Sequence, residues 1–279
     1  MSTTLIEGLC FGEGPRWHEG ALWLSDMHAR EVLRITPDGT RETVVEVPGW
    51  PSGLGWLPDG DLLIVSMTER RVLRYDGSAL TVHAELGDLA TFHCNDMVVD
   101  GSGRAWVGHF GFDIFTQGAE RRLASLIRVD PDGTTSLAAD ELAFPNGTVI
   151  TPDGRTLIVG ETMGACLTAF DVEDDGSLVN RREWAALTGA VPDGICLDAD
   201  MGIWVASPRS NEVLRVLEGG EVTHRIATDR GAFACMLGGD DGRTLFTLTS
   251  GSSIPEQCAE ERSAAVVTDR VDVPRAGWP

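Results

Sequence analysis

Apolar and polar positions alternate along this chain with a period of two, in short runs that are separated by turns. In the segment 17–39, two such runs flank a turn at Gly20, and a third run over 31–35 ends at the turn 37–39. A period of two is typical of half-buried β-strands. The chain also has nine Asp-Gly dipeptides, which favour the backbone angles of hairpin turns. The pattern predicts β structure throughout and no long amphipathic helix.

The same unit of strands and turns recurs to the end of the chain. A glycine turn follows the opening strand of each copy, at intervals of 40, 43, 51, 48 and 40 residues: Gly20, Gly60, Gly103, Gly154, Gly202 and Gly242. A repeat of roughly 40–50 residues with about four strands is typical of the blade of a β-propeller. Six copies predict an all-β fold, a six-bladed β-propeller.

The ends of the chain are expected to join in one blade. No linker rich in Pro, Ser or Gly divides the chain, so residues 1–279 are interpreted as a single domain. A strand near 5–11 is expected to pair with one over 264–273, which completes the last blade and removes exposed edges. The segment 250–257 is expected to be a loop, and the insertion 109–124 is expected to lie at a rim.

Net charge, hydrophobicity and cysteine content bear on the partners and the cellular compartment of the protein. The net charge of −21 argues against nucleic acid or an anionic membrane as a partner, because an acidic field repels phosphate. No apolar run approaches the roughly 20 residues that span a bilayer, and the first residues lack the features of a signal peptide. Six cysteines without a Cys-x-x-Cys pair indicate free thiols and a cytoplasmic protein. The protein is expected to be a monomer or a small homo-oligomer.

Four blades begin with an oxygen-bearing side chain at nearly the same position. Seven to nine residues before the turn glycines of blades one, three, four and five stand Glu13, Asn95, Asn146 and Asp193. Residues that begin the innermost strands of a propeller converge on its axis. Two carboxylates and two amides suit one hard divalent cation, Ca²⁺ first, with Mg²⁺, Mn²⁺, Zn²⁺ or Fe²⁺ as alternatives. Each residue also suits a turn or a cap, but their common register favours a metal site.

Four motifs, taken in order, resemble one known family. They are the segments 13–17, 95–104, 145–147 and 192–194, which read EGPRW, NDMVVDGSGR, PNG and PDG. The chain resembles the senescence marker protein/gluconolactonase family of regucalcin-like lactonases over nearly its whole length. The resemblance implies a six-bladed propeller with one divalent cation in its channel. It also implies that Glu13, Asn146 and Asp193 are core ligands and that Asn95 is a weaker or substrate-side ligand.

The chain departs from this family at the expected substrate pocket. Sugar-acid lactonases of the family tend to carry an arginine two residues before the blade-three Asn, and here that residue is His93. The following strand leads into a segment with His109, Phe110 and Phe112. A missing guanidinium removes a strong clamp for hydroxyl and carboxylate groups. We therefore expect these four residues to contact a substrate less polar than a sugar lactone, although His93 also suits the core and the phenylalanines also suit rim packing.

The predicted site suggests a mechanism for a lactonase or a related carboxylic-ester hydrolase. The cation would polarise the carbonyl of a lactone or ester, and Asp193 would orient or deprotonate the attacking water, or act as a nucleophile as proposed for related phosphotriesterases. His93 is the second candidate for a catalytic residue, as a hydrogen-bond donor or in proton transfer. Asp96 is expected to be a hydrogen-bond partner of Asn95 that does not bind the metal itself.

Two other interpretations compete with a lactonase. One is a non-catalytic propeller that binds calcium or a protein partner, since propellers host many functions. The other is a condensing enzyme of the strictosidine synthase type, whose lineage lacks the four aligned oxygen ligands. The sequence has no Gly-x-Ser-x-Gly elbow, phosphate-binding loop, dinucleotide fingerprint or His-Glu-x-x-His motif.

Overall fold

The fold consists of six four-stranded antiparallel sheets, in a computed structural model that describes residues 2–278. The strands are β1 (Thr3–Leu9), β2 (Gly12–His18), β3 (Ala21–Asp26), β4 (Glu31–Ile35), β5 (Arg41–Glu46), β6 (Pro51–Trp56), β7 (Leu62–Ser66), β8 (Arg71–Tyr75), β9 (Leu80–Glu85), β10 (Cys94–Val99), β11 (Ala105–His109), β12 (Ala124–Val129), β13 (Thr135–Leu142), β14 (Pro145–Ile150), β15 (Thr156–Glu161), β16 (Cys166–Val172), β17 (Leu178–Ala186), β18 (Ile195–Leu197), β19 (Ile203–Ser207), β20 (Glu212–Val216), β21 (Val222–Ala227), β22 (Gly231–Gly238), β23 (Thr244–Ser250) and β24 (Ala264–Arg270).

The sheets form the six blades of a β-propeller, which confirms the predicted fold class. Blades one to five each take four consecutive strands, beginning at β2, β6, β10, β14 and β18. Blade six takes β22, β23 and β24, and its fourth strand is β1 from the other end of the chain. In that pairing Thr3 lies opposite Thr268 and Leu9 lies opposite Ala264.

The innermost strands pack against one another around the axis and are buried over most of their length. All six residues of β10 and of β14 are buried, so neither strand shows the alternation of a half-exposed sheet. Large side chains fill the space between blades, and Trp106 and Trp204 are nearly inaccessible. Trp17 of blade one stacks on Phe246 of blade six with ring centroids 5.4 Å apart. The repeated tryptophans are therefore packing residues.

Two segments outside the sheets lie beside each other. A seven-residue helix, α1 (Pro255–Glu261), begins inside the segment that was expected to be a loop. The longest connection within a blade, residues 110–123 between β11 and β12, supplies Ile114 and Phe115 to a groove that Ser253 and Ile254 also line. Within residues 2–278, no helix is both long enough and apolar enough to cross a membrane.

The last residues cross the far ends of the inner strands. The backbone N–H of Ala276 donates to Leu197 O at 3.0 Å, and Ile150 and Trp278 exchange backbone hydrogen bonds of 2.8 and 3.0 Å. Leu197 and Ile150 end β18 and β14, so this segment closes the end of the channel remote from Asp193 and Asn146. All six cysteines are free thiols, as predicted, and only Cys166 is partly exposed.

Candidate functional site

The four predicted metal ligands line one cavity. Glu13 lies on β2, Asn95 on β10, Asn146 on β14, and Asp193 lies two residues before β18. These side chains line a cavity of about 170 Å³, called here the inner cavity. Glu13, Asn95 and Asn146 are buried, with 4–7% of their surface exposed, while Asp193 is partly accessible. The structure thus brings together residues that are up to 180 positions apart in sequence.

Irregular strand pairing accompanies three of these four positions, those of Glu13, Asn95 and Asn146. The register between first and second strand shifts between Glu13 and Arg16 in blade one, between Cys94 and Met97 in blade three, and between Pro145 and Thr148 in blade four. A bulge of this kind bends the strand and changes the direction of a side chain. The shifts explain how side chains at the start of each inner strand come to line the cavity.

Glycines next to the ligands let the inner strands approach closely. A Cβ on Gly147 would lie 2.5 Å from Ile195 N, and one on Gly194 would lie 2.7 Å from Ala234 Cα. The N–H of Gly147 donates to Asp193 O at 3.1 Å, which joins blades four and five directly at this level. Gly147 and Gly194 are therefore required for the close approach of neighbouring inner strands.

Hydrogen bonds orient the amide of Asn146. Its Nδ2 donates to Asp193 Oδ1 at 2.7 Å and to Thr162 Oγ1 at 3.1 Å. The Thr162 hydroxyl in turn donates to Pro192 O at 2.8 Å. Both amide hydrogens are thereby used, and Asn146 Oδ1 accepts no hydrogen bond from the described part of the chain. An amide oxygen is only an acceptor, so this atom is available to a cation.

The two acidic residues among the predicted ligands have raised pKa values, and Arg16 only partly offsets the rise at Glu13. Burial raises the pKa of Glu13 well above its usual value, and the nearby Asp193 and Asp96 raise it further. Burial also raises the pKa of Asp193 to about 7, against the lowering effect of the Asn146 hydrogen bond. A cation between two desolvated carboxyl groups would relieve both effects.

Asp96 has a different partner from the one expected. Its Oδ1 accepts from Arg16 Nη2 at 2.7 Å and from the N–H of Met97 at 2.8 Å. Arg16 Nε also donates to Leu54 O at 2.9 Å, so the guanidinium links three blades. Within residues 2–278 there is no hydrogen bond between Asp96 and the side chain of Asn95. The carboxylate therefore holds Arg16 below the inner cavity and adds negative potential to it.

The donor set fits a hard cation. Among residues 2–278 no group of three or more His, Cys, Asp or Glu side chains is arranged to hold a metal. The oxygen donors of the inner cavity are its two carboxyl groups, the amides of Asn95 and Asn146, and the hydroxyl of Ser253, and His28 is the one imidazole among its described lining residues. Oxygen donors of this kind suit Ca²⁺, Mg²⁺ or Mn²⁺ better than Zn²⁺, which prefers nitrogen and sulfur.

The structure does not place the two predicted pocket histidines in the inner cavity. His93 stacks on Phe92 with centroids 4.1 Å apart and lines a neighbouring groove, and its Nδ1 is buried without a hydrogen bond. His109 is 1% exposed, and its Nε2 lies 2.9 Å from Ser125 Oγ within the same blade. Burial lowers the pKa of His93, and lowers that of His109 to about 4, so both imidazoles are neutral near pH 7.

The rest of the inner cavity is formed mainly by aromatic and aliphatic side chains, with His28 and Ser253 as its other polar lining residues. Phe110 lines it as expected, whereas Phe112 does not. The apolar lining residues that the sequence prediction missed are Phe11, Met27, Met67, Ile114, Phe115, Phe144 and Phe233. The sequence holds a signal for three of them, because Phe11 and Phe144 stand two residues before Glu13 and Asn146, and Phe233 stands two before Cys235 of blade six. Trp50 and His93 occupy the same position in blades two and three.

Comparison with known proteins agrees with the fold. The chain matches the family described as SMP-30/Gluconolactonase/LRE-like region over residues 11–251. It is 26% identical to regucalcin of Gallus gallus over 255 residues, or 88% of this chain and 85% of that one. It is 27% identical to 6-deoxy-6-sulfogluconolactonase of Pseudomonas putida, over 96% and 94%.

One solved structure that is similar to this chain is also a gluconolactonase. A gluconolactonase from Xanthomonas campestris has a TM-score of 0.78 against this chain at 26% identity, and the match covers 100% of this chain and 89% of that one. The family match spans all six blades in part or in full, from the start of β2 to the end of β23. This protein therefore belongs to the SMP-30/gluconolactonase/LRE-like family, which confirms the resemblance seen in its motifs.

Proposed function

We propose that this protein is a divalent-cation-dependent hydrolase that opens the ring of a lactone or a related ester. The observation that carries the proposal is the pair of carboxyl groups of buried Glu13 and partly accessible Asp193, whose pKa values are raised and which meet the free Oδ1 of Asn146 at one cavity. Two of the relatives named above are sugar lactonases by name, which supports the same reaction class here.

Glu13, Asn146 and Asp193 would hold the cation, with Asn95 as a fourth ligand. Two charges and two neutral oxygens favour Ca²⁺, which accepts mixed carboxylate and carbonyl ligands in flexible geometry. When bound, the cation would supply Lewis acidity to the carbonyl oxygen of the substrate. The thiols are free, which supports a reducing compartment, and we place the reaction in the cytoplasm.

Asp193 would accept the proton of the attacking water. Its side chain lines the inner cavity and is partly exposed, which gives water a route to the carboxylate. Asn146 Nδ2 holds one carboxylate oxygen at 2.7 Å, so the other oxygen, Oδ2, is free to face the water. The apolar walls around the site limit the entry of further water and strengthen these interactions.

The substrate would be less polar than a sugar lactone. Of the described residues that line the inner cavity, none is Arg or Lys, and eight are Phe, Met or Ile. Sugar hydroxyl groups need hydrogen-bond partners that such walls do not offer, and burying an unpaired hydroxyl is costly. Alkyl- or aryl-substituted lactones satisfy these walls better.

A panel of lactones with and without metal tests the proposal. Purified protein is stripped with EDTA, dialysed, and reloaded with Ca²⁺, Mg²⁺, Mn²⁺ or Zn²⁺. Hydrolysis of glucono-δ-lactone, δ-valerolactone and a phenyl-substituted γ-lactone is then followed by proton release. The expected result is no turnover without metal, recovery with Ca²⁺, and preference for the less polar rings.

Two results would contradict the proposal. Full turnover after chelation would remove the role of the cation, and highest activity on glucono-δ-lactone would remove the preference for apolar substrates. Tight cation binding without turnover of any lactone would instead identify a non-catalytic binding propeller.

A further inference from the structure

A second cavity opens from the mouth of the inner cavity. It has a volume of about 750 Å³ and lies between the insertion 110–123 and the start of α1. Ile114, Phe115 and Ser253 line both cavities, so the two spaces meet along these residues. The larger space, called here the rim groove, is otherwise walled by aromatic and aliphatic side chains, including Trp50, Phe92, His93 and Ile254.

The walls of the rim groove form one contiguous aromatic cluster. Phe92 stacks on His93, and the ring of Trp50 meets those of His93 and Phe115 edge-on, each with centroids 5.9 Å apart. Phe115 also contacts Phe110, which lines the inner cavity. The cluster therefore extends the apolar lining of the inner cavity outwards without a break.

Exposed apolar side chains mark the outer edge of the groove. Phe115 is 47% exposed and Ile254 is 50% exposed. The backbone at Phe115 is held in place because Asp113 accepts hydrogen bonds from the N–H groups of residues 115 and 116, at 2.9 and 3.2 Å, and the Phe115 ring packs against Trp50 and Phe110. A large side chain fixed in an exposed position, on the path into a cavity, indicates a contact surface for a ligand.

The charges at the groove exclude an anionic occupant. Asp113 and Glu256 line it, and none of its described lining residues is Arg or Lys. Hydrogen bonds from Thr116 and from the backbone lower the pKa of Asp113, so this carboxylate is charged near pH 7. A neutral apolar group suits the groove, and a carboxylate or phosphate does not.

We propose that the rim groove binds an alkyl or aryl substituent of the lactone whose ring is opened in the inner cavity. The inference rests on the proposed function for the identity of the ring. A volume of about 170 Å³ equals that of about five to six water molecules, which suffices for a lactone ring but not for a long substituent. The shared lining residues give the substituent a direct path from the ring into the groove. The substrate class is therefore a lactone with a neutral apolar side chain.

A series of δ-lactones with side chains of increasing length tests this assignment. δ-Valerolactone has no side chain, and the δ-lactones of octanoic, decanoic and dodecanoic acid carry three, five and seven carbons. We expect kcat/KM to rise by about two- to fourfold for each methylene group until the groove is filled.

An Ile254→Ser variant should lower the ratio of kcat/KM for the decanoic lactone to kcat/KM for the unsubstituted lactone by about threefold or more. The matched control is Leu137→Ser on β13, whose side chain is also exposed but lies in neither cavity, and it should leave the ratio unchanged.

A binding assay that needs no turnover separates this inference from the proposed function. The neutral fluorescent probe N-phenyl-1-naphthylamine is titrated into the protein and displaced with the decanoic lactone. Displacement with a Kd that Ile254→Ser weakens would support the groove even if no lactone were hydrolysed. Hydrolysis of the unsubstituted ring with no gain from longer chains and no displacement would overturn the groove and leave the proposed function intact. A dimer that Ile254→Ser dissociates would assign the surface to a second copy of this chain instead and would overturn the inference.

Discussion

Two aspartates flank the shortest inner strand, β18, and their surroundings differ. Asp198, at the end of the strand, is inaccessible and accepts from Arg215 through Nε at 2.6 Å and through Nη2 at 3.0 Å. It also accepts from Trp204 Nε1 at 3.1 Å and from the N–H of Gly202 at 2.9 Å. Asp193, at the start of the strand, accepts from a single side chain, that of Asn146, and has no cationic partner among the described residues.

This difference distinguishes a carboxylate with a structural role, Asp198, from the one that we propose to be functional, Asp193. Asp198 is saturated by groups of its own blade, and its role is to fix the hairpin between β18 and β19. Asp193 retains unmet negative charge next to a cavity and a second carboxyl group, Glu13. A buried acid without a counter-charge reduces the stability of the fold, and such groups concentrate at functional sites. The missing positive charge is the reason to expect a cation at Asp193 and not at Asp198.

Replacing Asp193 by asparagine should break catalysis and spare the fold. The amide side chain of Asp193→Asn is the same size as the carboxylate but cannot accept a proton, so we expect kcat/KM for the best lactone to fall by about 100-fold or more at saturating Ca²⁺. The free energy of unfolding of the metal-free protein at pH 8 should not fall, because the variant removes a buried charge. Steady-state kinetics and urea unfolding measure the two effects. Retention of turnover would exclude Asp193 as the base or nucleophile.

The same change at Asp198 should have the opposite outcome. Asp198→Asn leaves the Arg215 guanidinium buried without its counter-charge, and we expect the free energy of unfolding to fall by about 3–5 kcal/mol. Calcium affinity of the folded protein, measured by calorimetry, should stay within about twofold. As a control, Asp171→Asn changes a 2.6 Å ion pair with Arg182 in which both side chains are about 40% exposed, and because solvent screens this pair the loss of stability should be much smaller than for Asp198→Asn. If Asp198→Asn were as mild as the control, the contrast between the two aspartates would fail.

The comparison also predicts a pH dependence of stability in the metal-free protein. The pKa of Asp193 is about 7 in the folded chain against 3.8 ordinarily, so the folded state holds its proton more tightly than the unfolded state. Its contribution to stability is therefore present at low pH and is lost as the pH rises from about 4 to about 7, by about 1.4 kcal/mol per unit of the pKa difference.

This loss of stability is measured as the difference in the free energy of unfolding between wild type and Asp193→Asn. His28 and His109 have pKa values lowered to about 4, so they act in the opposite direction over the same pH range, but they are present in both wild type and Asp193→Asn. With EDTA, wild type should lose stability relative to Asp193→Asn between pH 5 and pH 8, and Ca²⁺ should reverse the loss. A difference that does not change with pH would show that Asp193 is ionised normally in the metal-free state.

The fold was predictable from the sequence because it repeats. Each blade has the same alternation of apolar and polar residues and the same type of turn residues. A blade whose pattern is ambiguous can therefore be interpreted from the other copies. The four residues proposed as oxygen ligands follow from the same register, and the glycines at 147 and 194 mark the close contact between inner strands. The helix α1 was missed because it occurs once, in the irregular sixth unit, and its seven residues are too few to show a helical period.

The substrate side of the site was less predictable because it has no repeat. Phe110 and Phe112 both follow the end of β11, and sequence distance does not show that only Phe110 lines the inner cavity. His109 was expected in the pocket, but it pairs with Ser125 of the neighbouring strand, a contact that depends on the register between β11 and β12. The direction in which His93 points depends on the bulge in β10 that begins at Cys94.

The smallest expected effect concerns Thr162, an uncharged residue that contacts Asn146 and Pro192 beside Asp193. The Thr162 hydroxyl accepts from Asn146 Nδ2 at 3.1 Å and donates to Pro192 O at 2.8 Å, so it fixes the amide with Oδ1 free. Thr162→Val keeps the shape and removes both bonds, and we expect calcium affinity to fall by about tenfold because the amide is then free to turn its nitrogen towards the cation. Thr162→Ser restores the hydroxyl and should restore the affinity, whereas loss of fold stability alone would affect both variants without this difference. If the valine variant bound calcium as tightly as the serine variant in calorimetric titrations, the orientation of Asn146 would have to come from Asp193 alone.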